Sequence, residues 1–118
     1  MVAPSSPESL LPLPPAVFHI LLSLTDGNRH GYAIIQDVAA RTRGAVTLGP
    51  GTLYRSIQRM LEQGLIVEVD ARPSEGTDER RRYYRITPSG RSVARAEAER
   101  LASLVTLARA SGLIPRNA

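Results

Sequence analysis

Arg55 and Arg59 fall about one helical turn apart, and Gly51 and Thr52 precede them at a spacing that puts all four on one side of a short helix. A guanidinium is always charged and presents a planar fork of donors, so such a face suits phosphate oxygens and guanine edges. The same arginines would also fit the wet side of an ordinary surface helix, and this face alone does not decide between the two. A second basic group is the run Arg80-Arg81-Arg82, preceded by Asp78 and Glu79, which could neutralise part of it. If that run enters a strand with Tyr83, Tyr84 and Ile86, alternation sends one or two of its arginines toward solvent or phosphate and puts the two tyrosines on opposite faces. Arg55 is read as a base or phosphate contact, Thr52 as a phosphate contact and Arg59 as a contact to the backbone or to solvent. Tyr54 sits at the edge of an apolar stripe, where half-buried packing and a phosphate contact through its hydroxyl are both open.

Other chemistries lack their parts. There is no cysteine, hence no disulfide and no thiolate metal site. His30 has no second histidine or acid at ligand spacing and reads as a helix-start cap, and His19 lies within an apolar helix as a packed or interfacial residue. No nucleophile–base set, carboxylate pair or phosphate-cradling glycine loop is recognisable, so neither catalysis nor a cofactor nor a metal is expected.

The charge distribution favours the polyanion reading. All fifteen cationic side chains are arginine, against eleven acids. Residues 1–28 carry only Glu8 and Asp26, whereas residues 29–95 carry twelve arginines and seven acids, so the excess surrounds the candidate helix. A chain of 118 residues is one domain, and its longest apolar run is too short for a membrane span and lacks a basic leader. A cytoplasmic protein without a membrane partner is expected.

The elements that must position these residues are legible in order. Residues 1–12, rich in serine and proline, read as a flexible arm until Leu10, Leu11 and Leu13 find something to pack on. A first helix opens at Pro14 or Pro15 and runs to Thr25, and Val17, Phe18, Ile20, Leu21, Leu22 and Leu24 cover more than one of its faces. It therefore needs two partners, one of which could be another chain. A second helix spans about His30 to Arg43 with Ile34, Ile35, Val38 and Ala39 inside, and Gly44 ends it. The third runs from Gly49-Pro50 to Gly64 with Leu53, Ile57, Met60 and Leu61 on its dry side. Two strands, 65–71 and 81–87, form a hairpin with a polar tip. Thr87-Pro88 caps a last helix reaching about Ser111, roughly 35 Å long, in which Val93, Glu97, Leu101, Leu104, Val105 and Ala108 keep near-heptad spacing interrupted by Glu97. Its far half needs a partner, either a second copy or its own first helix.

Three helices, a hairpin and a helix is the order of a winged helix-turn-helix domain (13–87) followed by a C-terminal dimerisation helix and tail (88–118): mainly α with a small β-hairpin. In that architecture the third helix lies in the major groove and the hairpin beside the backbone. A dimeric, sequence-specific regulator binding double-stranded DNA is the favoured function. The rival is a winged-helix protein-interaction module with an incidental basic face.

The chain also resembles the PadR family of bacterial transcriptional regulators over about Leu13 to Arg95. The resemblance is carried by His30-Gly31-Tyr32, Pro50-Gly51-Thr52-Leu53-Tyr54, Glu62-Gln63-Gly64-Leu65-Ile66 and Arg81-Arg82-Tyr83-Tyr84-Arg85-Ile86-Thr87-Pro88-Ser89-Gly90. It implies a homodimeric repressor on an inverted repeat, with the last helix and the first building the dimer; Phe18, Leu22, Leu101, Leu104, Val105 and Ala108 occupy the matching positions. It implies that Tyr32 abuts the DNA backbone, where packing is the alternative, and that a small aromatic or phenolic effector releases the DNA. Two features depart from the pattern: the last helix stands without a larger ligand-binding bundle, and no tryptophan is present to sandwich a flat effector.

Overall fold

The structure is a computed structural model and describes residues 6–70 and 82–115. Its centre is α1 (Pro15–Ser23), which packs against the other three helices, α2 (Gly31–Arg41), α3 (Pro50–Glu62) and α4 (Pro88–Ala110). Ile20, Leu21 and Leu24 are sealed from solvent, which is why this helix is apolar on more than one side. Phe18 and Leu22, expected to face another chain, are half-buried, and Phe18 leans on the core of its own chain.

Local sequence explains each boundary. His30 caps α2, its Nδ1 accepting from the Ala33 N–H at 3.1 Å, as its position suggested. At the far end the Gly44 N–H reaches the Ala39 carbonyl at 2.8 Å, with Gly44 at φ +80°. Thr42 Oγ1 then donates to the Val38 carbonyl at 2.8 Å and accepts from the Val46 N–H at 3.0 Å, tying the connection that leads to α3. In α3, Leu53, Ile57 and Met60 are buried and Leu61 is half-buried, while the opposite side is wet.

The expected hairpin is part of a three-stranded antiparallel sheet. Strands β2 (Ile66–Val69) and β3 (Tyr83–Ile86) are shorter than the 65–71 and 81–87 expected, and the tip between them lies outside the described residues. The additional strand is β1 (Arg29–His30), which pairs with β3 through Arg29–Tyr84 and His30–Tyr83, giving the order β1-β3-β2. Two residues leave no periodic signature, so this strand exists only because β3 offers a free edge. Tyr83 and Tyr84 point to opposite faces as alternation requires: Tyr84 is buried, and Tyr83 meets the His30 ring edge-on at 5.3 Å.

Of the 1–12 arm, the residues from Ser6 on are described. From Pro7 onward it takes a defined path: Pro7–Leu10 form a 3-10 turn that packs on α4, and Leu10 and Leu11 lean on the core. Apolar burial by these leucines is what holds it there. Beneath the segment lies Glu97, the interruption in the α4 pattern. Glu97 is only 3% exposed, and both carboxylate oxygens accept from Arg100, at 2.7 and 2.8 Å. The Arg100 hydrogen bonds hold its carboxyl below the usual glutamate range against the opposing effect of burial, and the Leu13 backbone N–H assists.

Candidate nucleic-acid interface

The outer face of α3 is assembled by its own start. Gly49 takes extended backbone before Pro50 and supplies no side-chain cap, so the first-turn N–H groups and the positive end of the helix dipole face outward. Gly51 and Thr52 are exposed there, and the Arg55 guanidinium folds back over Gly51, whose missing side chain leaves it room. Arg59 is exposed one turn on. Among the described residues neither Arg55 nor Arg59 has a carboxylate partner, so both forks are free for an external anion.

Other arginines are committed elsewhere. Arg29 and Arg41 close a ring with two aspartates: Arg29 bonds Asp26 at 3.2 Å and Asp37 at 3.4 Å, and Arg41 bonds Asp37 at 2.7 Å and Asp26 at 3.0 Å. Arg29 Nε also donates to the Ser23 carbonyl at 2.8 Å, so the ring ties the end of α1 to α2. Desolvation works against the Asp26 charge, but Arg41 and Arg29 together hold its carboxyl below the usual value. This ring was missed by sequence reasoning, although the i,i+3 spacing of Asp26 and Arg29 and the i,i+4 spacing of Asp37 and Arg41 were available signals. Arg91 is likewise engaged, donating to the Thr25 carbonyl at 2.9 Å.

The wing arginines divide. Arg80 and Arg81 lie outside the described residues. Arg82 is exposed and pairs with Glu68 across the sheet at 3.3 Å, so the neutralising acid seen here comes from β2. Exposed pairs of this kind are worth about 0–1 kcal/mol, and Arg82 could exchange Glu68 for a phosphate at little cost. Arg85, next on the same strand, is exposed.

Tyr32 is exposed at the start of α2, 62% open, and Tyr54 is half-exposed on α3 at 51%. The Tyr54 hydroxyl lies directly against Gly31. Tyr32, Gly51, Thr52, Arg55 and Arg59 therefore share solvent-exposed positions on the first turns of α2 and the outer side of α3, with Arg82 on the neighbouring sheet. This arrangement can bind an extended polyanion through charge and helix-start N–H groups. No cluster of three metal-ligating side chains occurs among the described residues, and no helix there is long and apolar enough to cross a membrane.

Comparison with known proteins supplies the context. The model of the transcriptional regulator PadR-like family matches residues 20–96. The transcriptional regulator Rv3488 of Mycobacterium tuberculosis is 36% identical over 74 residues, covering 63% of this chain and 64% of that protein. The chain spans less than two thirds of the length of the curated relatives it matches, between 22% and 65%. Among solved structures, a transcriptional regulator from Clostridium thermocellum superposes with a TM-score of 0.69 at 26% identity, over 80% of this chain and 86% of that one. Bacillus subtilis PadR in complex with operator DNA superposes with a TM-score of 0.62 at 19% identity, over 70% of this chain and 47% of that one, a likeness of fold.

Proposed function

The chain belongs to the PadR-like family of transcriptional regulators, and from that membership we propose that it is a homodimeric, sequence-specific DNA-binding repressor. One observation carries the reading: the outer face of α3 presents Arg55 and Arg59 without carboxylate partners among the described residues, beside an uncapped helix start, while Arg29 and Arg41 are consumed by aspartates. In this reading α3 lies in the major groove, with Arg55 on a base edge or phosphate, Thr52 and the Gly51 N–H on phosphate, and Arg59 and Tyr32 on the backbone. Arg80, Arg81 and Arg82 flank the duplex from the wing. The far half of α4 supports the dimer: Leu104 and Val105 are exposed, Leu101 and Ala108 half-buried, and Leu107 is 63% open. A twofold pair would put the two α3 helices on half-sites one turn of DNA apart, about 34 Å, or a small multiple of it. Repression would follow from occlusion of a promoter.

Fluorescence anisotropy tests the proposal. A duplex selected from random sequence and a scrambled control are titrated at two salt concentrations. Specific binding predicts a preference of about a thousandfold or more and an affinity that falls steeply with salt. Equal, weak binding to the selected and scrambled duplexes would overturn it.

A further inference from the structure

Gly31, the first residue of α2, is buried but has no positive φ, so its backbone does not demand glycine. Space demands it instead. A methyl group there would collide with the Tyr54 hydroxyl and would lie 3.0 Å from Tyr54 Cζ and 3.2 Å from Leu53 Cδ2. The phenol of α3 is therefore laid across the first turn of α2. One side chain of α3 thus meets the start of α2, and the relative placement of these two helices decides how α3 would meet a groove.

We propose that Tyr54 is a positioning residue, a spacer seated against Gly31 that sets the tilt of α3 against α2, and not a DNA contact. This rests on the DNA-binding reading above. The apolar contacts of Leu53, Ile57 and Met60 hold α3 onto the core, but burial is non-directional and leaves some freedom in how closely α3 tilts toward α2. A rigid aromatic at the margin of that stripe, seated against a bare backbone, removes the freedom. The free face of Arg55 and Arg59 is then presented at one angle.

Four proteins test this: the natural chain, Gly31→Ala, Tyr54→Phe and the double variant. Amide NMR spectra are recorded without DNA, and anisotropy is measured on selected and scrambled duplexes. Alanine suits a helix better than glycine, so any loss in Gly31→Ala reflects crowding and not helix propensity. Gly31→Ala is expected to move amide resonances along α3 and to lower discrimination between the duplexes about tenfold. Tyr54→Phe alone should stay within about twofold of the natural chain, and in the Gly31→Ala background it should restore much of both readouts by removing the colliding hydroxyl, the closest of the crowded atoms. Tenfold weaker binding by Tyr54→Phe alone, with amide resonances away from residue 54 unmoved, would identify a direct phosphate contact and overturn the proposal. So would amide changes confined to the neighbours of residue 31, or a double variant as impaired as Gly31→Ala. If the natural chain shows no sequence preference, the regulator reading fails by itself. The amide shifts and their reversal still decide whether the wedge sets α3.

Discussion

Arginines of the same type have different fates in this molecule, and the difference lies in what faces them. Arg55 has no acid within reach among the described residues, whereas Arg41 bridges two aspartates. Arg55→Ala is therefore expected to weaken binding to a selected duplex by about 1–3 kcal/mol, the scale of a good bidentate base contact. Unchanged discrimination against scrambled DNA in an anisotropy titration would remove it from base readout. Glu97 supports a second expectation. Its carboxyl is held low in the folded chain, so its contribution to stability is fully present above the ordinary glutamate value. It is lost as pH falls from there through the lowered folded value. Glu97→Ala should cost about 1–3 kcal/mol near neutral pH, because it removes two charge-assisted hydrogen bonds from Arg100 at a buried position. Urea unfolding at several pH values measures this, and the gap between variant and natural chain should narrow in acid. A gap that stays constant down to low pH would show that the loss is one of packing alone.

Among elements, α3, β2 and α4 meet at a close junction. The Leu65 N–H bonds the Met60 carbonyl at 2.9 Å to close α3, with Gly64 at φ +75°. The Leu65 carbonyl then accepts from the Thr87 N–H at 3.0 Å, while Thr87 Oγ1 accepts from the Gly90 N–H at 2.9 Å to cap α4. Gly90 is pressed so closely on the Leu65 carbonyl that a Cβ there would overlap a backbone atom, which cannot swing away as a side-chain end can. Gly90→Ala should thus destabilise by about 1–3 kcal/mol as overpacking does, in spite of its better helix propensity, and a urea midpoint equal to the natural one would refute the close approach. The caps on both sides of this junction are legible in Gly64 and Thr87-Pro88. The contact between Gly90 and Leu65 is not, because it joins residues 25 positions apart in the chain.

At the scale of the whole molecule the two halves of α4 behave differently. Up to Glu97 the helix buries Gly90, Val93, Ala94 and Glu97 itself; beyond it Leu104, Val105 and Leu107 are exposed in a single chain. That combination reconciles the two partners weighed for this helix, since the near half has its own chain and only the far half lacks one. In the proposed dimer Leu104→Glu places a charge in an apolar seam and should convert the protein to monomer. Analytical ultracentrifugation at micromolar concentration reads this directly. A variant that still sediments as a dimer would move the interface away from this face.

Sequence alone determined the helices, because caps, breakers and a 3.6-residue apolar period are local properties of the chain. It likewise placed Gly51, Thr52, Arg55 and Arg59 on one wet face, since that follows from helical spacing once Leu53, Ile57 and Met60 are assigned inside. Tertiary structure decided the rest, through relations between distant residues. Arg29 and His30 became a strand because β3 lay beside them, and Glu97 became a buried ion pair because the segment from Pro7 to Leu13 covered it. Arg29 and Arg41 were withdrawn from the free positive charge because the end of α1 brought Asp26 to Asp37, and Tyr54 met Gly31 because α3 crosses the start of α2. Periodicity states which side of an element is dry; only packing states what that side, or the opposite one, touches.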